Sequence, residues 1–183
     1  MKMLCLCVVA LLSGNTAFAQ NTDYRVLATS RTWTMEKEMN EAGADGYKFA
    51  AVMGGETAIG GKEVVVLMHK VAGASGPFRY HLLATSRTST MEKEMNEAAA
   101  DGYDYVGQTV FESTFGGEEV VTIVERGAKA SSDFTYKLIA TSKTSTLQKE
   151  MNQIAGGYEA LGMTLGKTAI GGKELVVIAR RKK

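Results

Sequence analysis

Cysteine is nearly missing from this sequence, and the place of the two that exist excludes more than their number. Cys5 and Cys7 both lie near the start of a 183-residue chain. Everything after them is therefore without disulfides, thiolate nucleophiles or cysteine-ligated metals. Proline occurs once, as Pro77, and tryptophan once, as Trp33. Histidine occurs twice, as His69 and His81. No charge of one sign dominates, since 21 Lys and Arg face 20 Asp and Glu, which speaks against a strongly basic nucleic-acid binder. No apolar run is long enough to cross a bilayer as a helix. What is present, 45% apolar and 22% charged residues, is the composition of an ordinary folded domain.

Residues 1–19 have the pattern of a secretory signal. Lys2 supplies the charged start, Met3 to Leu12 the apolar stretch, and Ala17-Phe18-Ala19 the small-residue cleavage site ahead of Gln20. Cleavage after Ala19 removes both cysteines and Lys2 and leaves equal numbers of acidic and basic residues. At Leu12-Ser13-Gly14-Asn15, Asn15 stands where a lipoprotein signal requires its lipid-bearing cysteine, so no membrane anchor is expected. The expected location is periplasmic or secreted.

Internal repetition organises the remainder. Tyr24-Arg25-Val26-Leu27-Ala28-Thr29-Ser30-Arg31-Thr32 recurs 56 residues on, from Tyr80 to Thr88, and again from Tyr136 to Thr144. Thr34 to Ala42 is identical to Thr90 to Ala98, whereas the third copy keeps Lys149-Glu150-Met151-Asn152 and loses one residue before Gly157-Tyr158. The repeats span 23–71, 79–127 and 135–183. Small, breaker-rich connectors join them around Gly76-Pro77 and Gly127-Ala128.

Each repeat reads as β-α-β-β. Alternation in the opening segment places Tyr24, Val26 and Ala28 on one face and Leu27 on the other, and the Tyr-Val face is taken as the core side. Met35, Met39 and Ala42 then fall at helical spacing, as do Leu147, Met151 and Ile154. Ser89 with Glu92 and Ser145 with Gln148 have the spacing of capping boxes, and Thr34 is the cap expected in the first copy. Gly46, Gly102 and Gly157 suit the left-handed residue that ends a helix. Two strands follow, joined at Gly60-Gly61, Gly116-Gly117 and Gly171-Gly172. The last strands, such as Val64-Val65-Val66-Leu67, are apolar at consecutive positions and should be covered on both faces.

The fold class is therefore α+β: three tandem β-α-β-β repeats, mostly antiparallel sheet, with helices on one face. One helix covers one face of a small sheet, so the other face needs a neighbouring repeat or another chain. A compact pseudo-threefold arrangement, in the limit a nine-stranded closed sheet, is expected over three separate beads.

The helix exit Met39-Asn40-Glu41-Ala42-Gly43-Ala44-Asp45-Gly46-Tyr47, with its counterparts Met95 to Tyr103 and Met151 to Tyr158, resembles that of a family of small bacterial β-α-β-β domains of unknown function. That family's helix ends in Leu-Asn-x-x-Gly-x-x-Gly-Trp/Tyr-Glu. The resemblance covers nearly the whole chain after the signal, three times over, and differs in using Tyr where Trp is common. It implies the fold and brings no activity.

The chemistry-bearing candidates are few. Ser30-Arg31, Ser86-Arg87 and Ser142-Lys143 precede the helices, where hydroxyls, a cation and free backbone N–H groups together suit an anion. Capping alone also accounts for Ser and Thr there. Gly55 to Lys62 departs from a phosphate-binding loop, because a second glycine precedes Lys62 and Glu63 follows it. The helix glutamates Glu36, Glu38 and Glu41 read as a solvated surface. His69 and His81 have no repeated counterparts with which to build a metal site or a catalytic triad. Met35, Met39, Met91 and Met95 read as helix core, and the repeated tyrosines as packing residues or the walls of clefts between repeats.

These features support a non-catalytic binding or scaffolding repeat protein, without a cofactor or metal, whose partner is a protein, a small ligand or another copy of itself. The alternative is a carrier for an anion or a planar molecule, using the Ser-Arg turns or the inter-repeat tyrosine clefts.

Overall fold

The computed structural model describes residues 23–57, 61–70, 76–85, 87–112, 118–128, 133–167 and 172–183. Residues 1–22, where a signal is expected, Ser86, and parts of the connectors and hairpin turns lie outside these residues. The first repeat contains β1 (Asp23–Thr29), α1 (Thr32–Ala44), β2 (Lys48–Thr57) and β3 (Gly61–Lys70). The second contains β4 (Arg79–Thr85), α2 (Thr88–Ala100), β5 (Asp104–Glu112) and β6 (Glu118–Arg126). The third contains β7 (Phe134–Thr141), α3 (Thr144–Ile154), β8 (Glu159–Lys167) and β9 (Lys173–Lys182).

Each repeat forms its own antiparallel sheet, in the orders β1-β3-β2, β4-β6-β5 and β7-β9-β8. The last strand of each repeat is thus central. β6 and β9 are buried on both faces, as their continuous apolar runs require, whereas β3 buries Val64, Val66 and Met68 toward α1 and leaves Val65 and Leu67 half-buried because no helix stands before it among the described residues. The strands form three sheets and not the single nine-stranded sheet of the compact limit. Every second strand carries a bulge, between Phe49 and Ala51, between Tyr105 and Gly107 and between Ala160 and Gly162.

The hydrophobic cores lie between repeats. Met35, Met39 and Ala42 of α1 pack with Val64, Val66 and Met68 of their own sheet, and equally with Tyr80, Leu82, Val121 and Ile123 of the next. One repeat on, α2 does the same with Leu83, Val120 and Val124 on one side and Tyr136, Leu138, Val176 and Ile178 on the other. The order through the molecule is therefore sheet, helix, sheet, helix, sheet, helix. Among the described residues no sheet covers the outer side of α3, and its core is reduced to Leu147, Ile139 and Val177, with Met151 and Ile154 only half-buried.

This arrangement corrects the assignment of faces on the opening strand. Leu27 packs toward α1, whereas Tyr24 and Val26 are exposed. Their counterparts Tyr80 and Leu82, and Tyr136 and Leu138, are buried against the helix of the preceding repeat. The Tyr-Val face is a core face only where a repeat stands in front of it.

Helix ends depart from the sequence reading in two places. The helices begin at Thr32, Thr88 and Thr144, and the capping positions are Arg31, Arg87 and Lys143, with no side-chain cap. Glu92, expected to complete a capping box, reaches instead to the next repeat, and Gln148 bonds Asn152. At the other end, Gly46 and Gly102 are left-handed, with Tyr47 N–H bonded to Ala42 C=O and Tyr103 N–H to Ala98 C=O. That is the six-to-one bond of a Schellman exit. Gly157 is not left-handed, because the missing residue lets Tyr158 N–H return to Ile154 C=O in a shorter turn.

Successive sheets are wedged. Helices separate their first strands, while their second strands meet directly. A Cβ on Gly54 would lie 2.3 Å from the Val110 carbonyl oxygen, so only glycine permits this approach of β2 to β5. Gly54→Ala is expected to cost about 1–3 kcal/mol, since the obstacle is backbone, and urea denaturation measures the loss.

Candidate functional site

The Ser-Arg turns are real turns, but they are spread over three repeats. The hydroxyl oxygens of Thr29, Thr85 and Thr141 accept hydrogen bonds from the N–H groups of Arg31, Arg87 and Lys143, at 3.3, 3.2 and 3.3 Å. The Ser30, Arg31, Arg87, Ser142 and Lys143 side chains are exposed, and Ser86 lies outside the described residues. Strand-to-helix turns of this kind need no ligand to hold them.

In the second repeat a cleft of about 700 Å³ opens between β4 and α2, with His81, Glu94, Glu97, Asp101 and Tyr103 among its walls. One of its wall residues, His81, stands where the first repeat has Arg25. In the first repeat Arg25 lies 4.2 Å over the Tyr47 ring and pairs with Asp45 at 3.3 Å. His81 takes that position in the second repeat and turns its Nδ1 to Glu36 Oε2, 2.8 Å away. No group of side chains suited to a metal ion occurs among the described residues.

The most strongly built polar features are the junctions between repeats. At the first, the Asn40 side-chain amide donates to the Tyr80 carbonyl at 2.8 Å, and its oxygen accepts from Tyr80 N–H at 3.0 Å. Glu36 Oε2 accepts from Leu82 N–H at 2.8 Å, so two side chains of α1 satisfy the free edge of β4. The second junction repeats the device. Asn96 pairs with Tyr136 C=O and N–H at 3.0 and 2.9 Å, and Glu92 Oε2 accepts from Leu138 N–H at 2.7 Å.

A tyrosine hydroxyl reaches back across each junction. Tyr80 Oη accepts from Phe49 N–H at 2.9 Å, and Tyr136 Oη accepts from Tyr105 N–H at 2.8 Å, each donor standing immediately before a bulge. Tyr80 Oη also donates to Glu125 at 3.0 Å, and Tyr136 Oη to Asp104 at 2.5 Å. Burial, reinforced by the neighbouring Glu125, holds the Tyr80 hydroxyl far above the usual phenol range. Burial and the bond to Asp104 do the same for Tyr136, and burial pushes Tyr105 up to about 12. Charge pairs flank the tyrosines, Lys48 with Glu125 at 3.6 Å and Asp104 with Arg180 at 2.6 Å.

Asn40, Asn96, Glu36 and Glu92 were not singled out by the sequence reading, which placed the glutamates on a solvated surface or in capping boxes. The available signal was the Met-Asn pair standing unchanged in all three repeats, Met39-Asn40, Met95-Asn96 and Met151-Asn152. Asn96→Ala is expected to cost about 2–4 kcal/mol, because it leaves the Tyr136 N–H and C=O without partners. Asn152→Ala should change the stability of the single chain by no more than about 0.5 kcal/mol, and paired chemical denaturation curves make the comparison.

Among the described residues both ends of the stack are open. At the first, Tyr24, Val26 and Met53 are exposed; at the last, Met163 and Leu165. Five of the six large apolar side chains identified as exposed lie on these two faces, and Trp33 is the sixth. No helix among the described residues is long and apolar enough to cross a membrane.

Compared with protein-family models, curated proteins and solved structures, the chain finds no match. The likeness to the short β-α-β-β domains therefore rests on the helix-exit residues alone.

Proposed function

We propose that this is a secreted or periplasmic, non-catalytic repeat protein that binds or scaffolds through the two open ends of its stack. The observation that carries the reading is the contrast between two completed junctions inside the chain and one apolar half-junction at each end. Exposed apolar surface gathered into facing patches marks an interaction site, whereas single scattered residues do not. The signal-like segment 1–19 supports a location outside the cytoplasm for such a surface.

Methionine footprinting tests the reading, because Met53 sits on one end and Met163 on the other. Mild oxidant applied to intact cells should modify both more slowly than in dilute purified protein. Equal reactivity of Met53 and Met163 in the two settings would remove the docking role.

The cleft beside His81 favours a second reading, a small-ligand carrier. Native mass spectrometry of protein taken directly from its source separates the two. A retained small molecule, lost on Tyr103→Ala, would move the function from the ends to the cleft.

A further inference from the structure

Resting on the reading of the ends as docking faces, we propose that their occupant is a second copy of this chain, added head to tail with its β1 on the α3 of the first. The two ends are the separated halves of a junction that the molecule already forms twice.

On the leading half, Tyr24 is 60% exposed and Val26 64%, where Tyr80 and Tyr136 are 2% and Leu82 and Leu138 are 8% and 9%. On the trailing half, Asn152 and Gln148 occupy the positions of Asn96 and Glu92. With no strand edge to hold, they bond one another at 3.0 Å. Met151 and Ile154 are half-buried, while their counterparts Met95 and Ala98 are closed off. Gln148 retains a side-chain oxygen, so it accepts an N–H as Glu36 and Glu92 do.

The repeat specifies the contacts. Asn152 takes the N–H and C=O of Tyr24 of the added copy, Gln148 takes the N–H of Val26, and the Tyr24 hydroxyl receives the N–H of Ala160, which precedes the third bulge. Charge fits as well. The positions that hold Lys48 with Glu125, and Asp104 with Arg180, hold Glu159, which already pairs with Arg180 at 3.0 Å, on the trailing end and His69 on the leading end. An acidic group again meets a basic one across the junction. The contact is heterologous, so copies add in one direction and either close a ring or continue as a filament.

Complementation of end variants tests this. Light scattering and native mass spectrometry of purified protein over a dilution series should give wild-type species of two or more chains. Val26→Asp, which spoils only the leading end, and Met163→Asp, which spoils only the trailing end, should each be monomers with wild-type thermal melts. Mixed, they should form a one-to-one pair, because one retains a sound trailing end and the other a sound leading end. Tyr24→Lys and Asn152→Arg form a second such pair, should either aspartate variant fold poorly.

A wild-type protein that stays monomeric throughout overturns the proposal, and so does a mixture that stays monomeric. Assembly of Met163→Asp alone would instead indicate a face-to-face contact between leading ends, which also overturns it. If self-assembly fails while Met53 and Met163 remain protected in cells, the ends dock another protein. The functional reading then stands and this inference does not.

Discussion

Met95→Ala is expected to destabilise the protein by about 3–5 kcal/mol, while Met151→Ala, at the matching position one repeat later, costs about 1 kcal/mol in the isolated chain. Met95 is completely buried between two sheets, so its removal leaves a cavity that neither wall can fill by moving. Met151 has a sheet on one side only and is half-buried. Thermal unfolding at low protein concentration should separate the two variants by several degrees, at about 2–4 °C per kcal/mol for a chain of this size. Met39→Ala belongs with Met95→Ala, since Met39 is equally enclosed. Equal losses at Met95 and Met151 would mean that the cores belong to single repeats, against the alternation of sheets and helices described above.

Alkaline unfolding is the second large effect. Tyr80 and Tyr136 are held protonated in the folded state well above the usual value near 10, chiefly by burial. A folded pKa above the unfolded one means that the stabilisation is complete below about pH 10 and is lost as the pH rises further, because only the unfolded chain then releases the proton. Two such groups take away about 2–3 kcal/mol per pH unit, enough to exhaust a typical stability of 5–15 kcal/mol within a few units. Circular dichroism against pH should show a cooperative loss of structure above pH 10. Tyr80→Phe should begin less stable at neutral pH, having left Phe49 N–H without its acceptor, and then fall less steeply with pH. An unchanged slope in that variant would assign the alkaline transition to other groups.

Local signals in the sequence survive into the structure because they are satisfied within one repeat. The helical spacing of Met35, Met39 and Ala42 and the glycine exits at Gly46 and Gly102 each depend on neighbours a few residues away, whereas double-sided burial of the last strand needs the helix of a preceding repeat and holds for β6 and β9 but not for β3. The face of β1 was misread because a sheet covered on both sides has apolar residues on both parities. Tyr24 and Val26 keep the residues of a covered face where the single chain provides no cover. Glu36, read as solvated surface, and Glu92, read as half of a capping box, are held by distant groups for a related reason. A glutamate one turn into a helix suits a capping box, and nothing local announces that a strand edge 46 residues later competes for its oxygen. The asparagine clamps, Asn40 with Tyr80 and Asn96 with Tyr136, span 40 residues and are equally silent in any single window. The candidate anion turns were legible as turns and stay distributed, one to a repeat.

Because every finished core straddles two repeats, an unequal crossover that inserts one whole copy would add a sheet, a helix and a complete core while leaving both terminal faces as they were. Copy number is then free to drift by whole units without a change in either terminal face. A deletion of half a copy has no such neutrality, since it joins a sheet to a helix face built for a different neighbour.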